Sequence, residues 1–312
     1  MPNATITKFF GFVIATLFVV TSCHEDRRMP AFDQANSQYE PPKVVGRIKS
    51  KEISESSGLA ASPCRTDLLW THNDSGDGPF IYAIDASGES RGVWRIANAD
   101  NEDWEDMAAA RDASGKCFLY LGEIGNTDKL TRHEHTIYRV AEPEVTDQIS
   151  TTNKKAPNTT AAEAMKFRYS DGTHDAETLI VHPQTGDIYI LTKNRNEASN
   201  IYKLTPAFGS AAVVSAQKIG EIRVPVIPFG MLTGGSISPD GRRVILCDYA
   251  AAYELVLPDG AAFDEIWKQK PAAIQLGERK QGEAITYSSD GKSIFATSER
   301  GDPPVIQVVR KQ

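Results

Sequence analysis

Short apolar runs recur along the chain in pairs, each pair split by turn-forming residues. The stretch HDAETLIVHPQTGDIYILTKN, residues 174 to 194, shows the unit. Asp175 and Glu177 stand just before the apolar run Thr178 to Val181. Pro183 and Thr185-Gly186-Asp187 make a turn, and a second run, Ile188 to Leu191, ends in Lys193 and Asn194. The same unit returns around residue 55 (SESSGLAASPCRTDLLWTHND), around 105 (WEDMAAARDASGKCFLYLGEIGN), around 235 (TGGSISPDGRRVILCDYA) and around 283 (GEAITYSSDGKSIFATSER). Glu55, Glu105, Glu177 and Glu283 lead four of the copies. The copy near 235 has Gly234 and Gly235 there instead.

The leading glutamates are 50, 72 and 106 residues apart, the last interval holding two copies. A period near 50 with several strands per repeat predicts an all-β fold, a β-propeller. The second runs (Leu68 to Trp70, Phe118 to Leu121, Ile188 to Leu191, Val244 to Cys247, Ile294 to Ala296) are continuously apolar, as expected of strands covered on both faces. Third strands are expected at Phe80 to Ile84, Thr136 to Val140, Asn200 to Leu204, Ala252 to Val256 and Val305 to Val309. Fourth strands are expected at Gly92 to Ile96, Met165 to Tyr169, Gln217 to Ile222 and Ala273 to Leu276. The last blade lacks a fourth strand, and Lys43 to Ile48 can supply it, closing the ring and removing two exposed edges. The expectation is five blades, or six if one occupies 141 to 176, although TDQISTTNKKAPNTT reads as a polar loop.

The N-terminus reads differently. Lys8 precedes an apolar stretch, Phe9 to Val20, too short to span a bilayer as a helix, and Val20-Thr21-Ser22-Cys23 follows. That ending resembles a bacterial lipobox. The resemblance implies a signal peptide over 1–23, a lipid on Cys23, and a membrane anchor in the cell envelope; an ordinary signal peptide cut elsewhere is the alternative. Residues 24–42 read as a flexible tether and 43–312 as the propeller domain. The remaining cysteines are Cys64, Cys117 and Cys247. Cys64 and Cys117 fall in corresponding turns of neighbouring blades, an arrangement compatible with a bridge. A formal charge of -7 without clustered cations argues against a nucleic-acid partner.

In a propeller the residues leading each inner strand and those leaving each second strand meet at one end of the axis. The leading set is Glu55, Glu105-Asp106, Asp175-Glu177, Gly234-Gly235 and Glu283. The leaving set is His72-Asn73-Asp74, Glu123 with Asn126, Lys193-Asn194-Arg195, Asp248-Tyr249 and Glu299-Arg300. Converging carboxylates need a cation, basic partners or retained protons. Oxygen ligands of this type suit Ca²⁺ better than Zn²⁺. The metal candidates are Glu55, Glu105, Glu177 and Glu283, and the ligand candidates Asn73, Asp74, Glu123, Asn126, Lys193, Asp248, Glu299 and Arg300. His133-Glu134-His135 reads as a solvated loop, and Trp104 as core. Each acid singly also has a plain reading, as a turn residue or a backbone acceptor.

The motifs THNDSG, DWEDMA, YLGEIGN, HDAETL, ISPDGRRV and QGEAI resemble a largely uncharacterised family of bacterial propellers that often carry a lipobox. More loosely, the leading glutamates are similar to those of senescence-marker/gluconolactonase and phytase-like propellers. That likeness implies a divalent ion on the axis, and lactonase or phosphoesterase activity. Gly235 departs from the acidic pattern. The first expectation is a membrane-anchored lipoprotein binding a small-molecule or glycan ligand in an acidic axial pocket, with Ca²⁺. The alternative is a metal-assisted hydrolase of a lactone, phosphoester or glycan, with Glu177 or Glu283 as base and His72 or Lys193 assisting. A protein-interaction platform is the third reading. No Gly-x-Ser-x-Gly or His-Glu-x-x-His motif is present.

Overall fold

A computed structural model of the protein describes residues 37–126, 130–195, 197–224 and 231–311. Residues 1–36, which include the stretch read as a signal peptide with Cys23 and most of the expected tether, lie outside the described residues.

Turn chemistry dictates the repeating unit. Between the inner and second strands, Gly115, Gly186, Gly241 and Gly291 take φ values from 68° to 85°, a left-handed conformation that glycine enters without a Cβ clash. An acidic side chain braces three of these turns. Asp112 Oδ1 accepts from the backbone N–H groups of Ser114 and Lys116, Asp240 Oδ1 from Arg242, and Asp290 Oδ1 from Lys292. The first copy has Ser62 in that role, accepting from Cys64 and Arg65.

Each turn starts an antiparallel meander, and the described strands form five such four-stranded blades. The first contains Ser56–Ala61, Leu69–Asn73, Phe80–Ile84 and Ser90–Ala97. The second contains Trp104–Arg111, Cys117–Glu123, His135–Ala141 and Glu163–Tyr169. The third contains Ala176–Val181, Ile188–Thr192, Ser199–Leu204 and Val214–Ile222. The fourth contains Gly234–Ile237, Arg243–Cys247, Ala251–Val256 and Ala272–Gln275. The fifth contains Gln281–Tyr287, Ser293–Glu299 and Pro304–Val309, and its outermost strand is Lys43–Arg47 from the other end of the domain.

Apolar layers between successive blades hold the ring. Trp70, Trp94 and Ile96 of the first blade pack on Met107 and Leu119 of the second. Phe118, Ile137 and Phe167 of the second meet Leu179, Ile190 and Tyr202 of the third. Tyr189 and Leu191 meet Val244 and Tyr253. Ile245 and Ile274 meet Ile285 and Ile306. Leu59, Tyr82 and Val93 then meet Phe295 and Val305, which closes the circle. A sheet sandwiched in this way needs apolar side chains on both faces, which is why the second strands read as continuous runs.

Two features differ from the sequence reading. Part of the expected polar loop is a strand, Asn158–Ala161, lying parallel outside Ser90–Ala97 of the first blade. The chain therefore leaves the second blade, covers its neighbour's outer edge, and returns as Glu163–Tyr169. That strand also pairs parallel with Val214–Ile222, joining the second and third blades along their outer edges. Both pairings shield edge groups that would otherwise face solvent. The second difference is at the start. Packing begins ahead of Lys43: Tyr39 is buried, its hydroxyl donates to Glu254 Oε1 at 2.5 Å, and the Glu40 N–H donates to the Val309 carbonyl.

Candidate functional site

Four inner strands carry a register shift near their first residues, between Ser56 and Gly58, Trp104 and Met107, Ala176 and Thr178, and Gly282 and Ile285. A bulge re-aims the extra side chain. The residues it presents are Ser57, Glu105, Glu177 and Glu283. The inner strand of the fourth blade pairs without a shift. There is no room for a side chain at its two leading positions: a Cβ on Gly234 would overlap the Glu283 carbonyl, and one on Gly235 would lie 2.9 Å from Leu246 Cδ2 and Thr178 Cγ2.

The bulges open into an axial cavity of about 520 Å³. Its walls carry the acids Asp74, Glu102, Asp103, Glu105, Glu177 and Glu283, with Lys193, Arg132, Asn126 and Gln281 among them. Glu105, Glu177 and Glu283 thus converge as the repeat predicted, and Asp74, Lys193 and Asn126 join them. Carboxylate oxygens of Asp74, Asp103 and Glu105 all lie within 4.8 Å of one another. Gly125 passes so close that a Cβ there would overlap Glu105 Oε1 and Asp103 Oδ2. Three carboxylate oxygens brought this close, facing a bare glycine, could hold a metal ion.

The electrostatics follow from crowding. Burial, then the charge of Asp74, pushes the Asp103 carboxyl up to about 6. Burial, then Glu177 and Asp74, holds Glu105 well above its ordinary range. Burial and the nearby charges of Glu283 and Glu55 raise Asp74. The cations relieve part of this. Lys193 pairs with Glu177 and lies 5.3 Å over the Tyr249 ring. Burial alone would lower the Lys193 ammonium, but the Glu177 carboxylate overrides it and holds the group above its usual value. Gln281 Nε2 donates to Glu283 Oε1 at 2.8 Å and to Glu299 Oε2 at 2.7 Å. Burial, then Glu283, pushes Glu299 up to about 9.

These shifts set a pH dependence. The folded protein retains protons that the unfolded chain has released, so the contribution of these groups is fully present below about pH 4. It is lost as pH rises through about 6 for Asp103 and about 9 for Glu299. In EDTA, calorimetric midpoints are therefore expected to fall between about pH 5 and about pH 8.5. A midpoint that climbs across that interval would refute the protonation assignment.

Several expected site residues lie elsewhere. Glu55 sits two positions ahead of the bulge, in an isolated bridge with Glu299, and Ser57 takes the inward position. Ser57 Oγ donates to the Glu105 carbonyl at 2.8 Å. His72 is buried against the edge of Trp104, its Nδ1 meeting the Asn73 carbonyl, and burial pushes it down to about 4. It is a neutral core residue outside the cavity. Asn73 Oδ1 accepts from the N–H groups of Ser54 and Glu55, while its amide donates to Glu52 and Asp77. Glu123 accepts from the N–H groups of Glu102 and Asp103 and pairs with Arg132, so it shapes the wall from behind. Asp175 Oδ1 accepts from the Asn126 N–H. Asp248 accepts from Ala250, Ala251 and the Tyr253 hydroxyl. Glu299 lies behind Gln281, and Arg300 lines a neighbouring cleft. His135 is buried and stacked 5.3 Å from Phe167, while Glu134 pairs with Lys166 and Arg168, which replaces the solvated-loop reading.

Asp103, Arg132 and Gln281 were missed. Asp103 and Gln281 each stand two positions before a bulge glutamate, a spacing visible in the sequence. Arg132 gave no such signal, because it arrives from the strand-connecting loop.

No known protein-family profile matches the sequence, and no curated protein matches it. Among solved structures, the soluble aldose sugar dehydrogenase of Escherichia coli, in its apo form, is similar with TM-score 0.47 and 8% identity, over 87% of this chain and 99% of that one. A luciferin-regenerating enzyme is similar with TM-score 0.46 and 11% identity, over 86% and 95%. Such likenesses concern the course of the backbone and carry no activity to this protein.

Proposed function

We propose that this propeller binds a divalent cation, Ca²⁺, through Asp74, Asp103 and Glu105, and with it a small polar ligand in the axial cavity. The convergence of those three carboxylates against bare Gly125 carries the reading. Glu177–Lys193 and Glu283–Gln281 supply acceptors and donors around the ligand, as hydroxyl-rich molecules such as glycans require. The protein works in the cell envelope, held to a membrane by a lipid on Cys23. The apolar segment before Cys23 and the Cys64–Cys117 disulfide, a bond of oxidising compartments, support that location.

The test is a thermal midpoint in EDTA and with added Ca²⁺. At a hundredfold excess over Kd the ion stabilises by about 2.7 kcal/mol, which raises the midpoint by several degrees. Glu105→Gln and Asp103→Asn should abolish the rise. An unchanged midpoint in the parent protein removes the cation from the proposal.

One feature favours hydrolysis as a second reading: burial and the charge of Asp74 push the Asp103 carboxyl, on the cavity wall, up to about 6, a range suited to a general acid or base. Glu177 suits that role less, because Lys193 holds it. Turnover of a lactone, phosphoester or glycoside that disappears in Asp103→Asn, with a pH inflection near that value, supports the hydrolase; no turnover across such a panel leaves a binding protein.

A further inference from the structure

A second cavity, of about 640 Å³, opens between the fourth and fifth blades. It is built from the turn at Tyr249, the connection Gly277 to Lys280, the turn Ser298 to Pro304, and the outermost strand at Val44 and Arg47. Two walls are shared with the axial cavity. Tyr249 lies under the Lys193 ammonium, and Ser298 Oγ exchanges hydrogen bonds with the Gln281 backbone. The charge reverses across those walls. The axial cavity is dominated by carboxylates, whereas this cleft carries Arg47, Arg279, Lys280 and Arg300.

The charges of those cations are only partly compensated. Arg47 is matched by Asp302 at 3.5 Å. Among the described residues Arg279 donates to the carbonyl oxygens of Asp248 at 2.9 Å and Thr297 at 3.4 Å, its buried Nε–H has no acceptor, and its charge also acts on the Asp248 carboxylate. Among the described residues, Lys280 and Arg300 have no carboxylate partner. The remaining acid, Glu278, is exposed. Arg300 is held at φ 62° and Asp302 at φ 60°, a conformation that costs non-glycine residues about 1 kcal/mol or more and clusters at ligand clamps.

We propose that this cleft is an oxyanion site, taking a phosphate-type group on Arg279, Lys280 and Arg300. The Arg279 guanidinium is fixed by two carbonyls and so loses little freedom on binding, and the exposed Lys280 and Arg300 supply mobile positive charge for the oxygens of the ligand. The group can arrive as a free ion or as the acidic substituent of a molecule whose polar part enters the axial cavity. The cleft does not depend on the cation reading, because none of its residues is a proposed Ca²⁺ ligand.

The experiment is a calorimetric titration with inorganic phosphate at low ionic strength, in EDTA. Saturable binding is expected in the parent protein and equally in Glu105→Gln, which separates this site from the cation site. The Lys280→Gln/Arg300→Gln double variant should lose about tenfold or more in affinity. Both side chains are exposed, so that variant keeps its fold even if Arg279→Gln does not. Absence of saturable binding, or unchanged affinity in the double variant, overturns the proposal. A second arm compares a sugar phosphate with inorganic phosphate in the presence of Ca²⁺. Tighter binding of the sugar phosphate assigns the group to a larger ligand, and equal binding assigns the site to the free ion.

Discussion

Asp106→Ala is expected to destabilise the protein by about 3–5 kcal/mol, because three buried backbone donors would lose their acceptor at about 1–3 kcal/mol each. Asp106 follows Glu105 in the bulge of the second blade, but its side chain turns into the channel below the cavity, where it is fully buried. Oδ1 accepts from the Met107 N–H at 2.8 Å. Oδ2 accepts from Leu179 of the third blade at 3.0 Å and Gly235 of the fourth at 3.2 Å. One carboxylate thus ties three inner strands together across the axis. Alanine would leave all three donors buried and unmet. Asp106→Asn should lose less, since its oxygen can keep the two bonds at Leu179 and Gly235 while its NH₂ opposes Met107. Urea unfolding followed by circular dichroism measures both. A loss below about 1 kcal/mol in the alanine variant would mean that the three donors find other acceptors, and the tie would then not be what holds the strands.

The second large effect is expected from Cys64 and Cys117. Their disulfide fastens the first turn of the first blade to the second strand of the next, across a separation of 53 residues. Closing a loop of that size restricts the unfolded chain by about 4 kcal/mol in the loop-entropy description. Cys64→Ser/Cys117→Ser, or the reduced parent protein, should lose about that much in the same urea experiment, with the cation response intact because neither cysteine lines the axial cavity. Indistinguishable stability with and without reductant would show that the blade interface, rather than the bridge, sets this part of the ring. The third described cysteine takes no part: Cys247 is buried, and burial pushes its thiol up to about 12.

What could be read from the sequence was what is local and repeated. Turns such as SPDGRR and apolar runs such as Ile188 to Leu191 fix strands through nearest neighbours alone, so the blades were legible. Even Lys43 to Ile48 as the ring's last strand followed from an unfilled edge. The bulges were not legible, because an extra residue is defined by the strand opposite. Hence Glu55, which matches the leading glutamates along the chain, proved displaced from them, and Ser57 took its place. Polar residues at strand ends posed a similar ambiguity. Asn73, Glu123 and Asp248 have the composition of ligands, yet backbone N–H groups brought by the fold satisfy them. The parallel strand Asn158–Ala161 was hidden for another reason: its polar sequence forms a strand only because a neighbouring blade offers an open edge.

The pairing of the last blade's outer edge with the domain's first strand has a topological meaning. The Lys311 N–H donates to the Gln38 carbonyl, so the two described ends of the chain are hydrogen-bonded neighbours. The fold is a circle cut at one point, and the cut falls on the rim, far from the strands around the axis. A short peptide joining those ends would leave the five inner strands where they are, and an exposed turn such as Asp112 to Lys116 could serve as the new opening. Where along the rim the ring is opened is thus a matter of chain order, and the geometry of the acidic groups at its centre is indifferent to it.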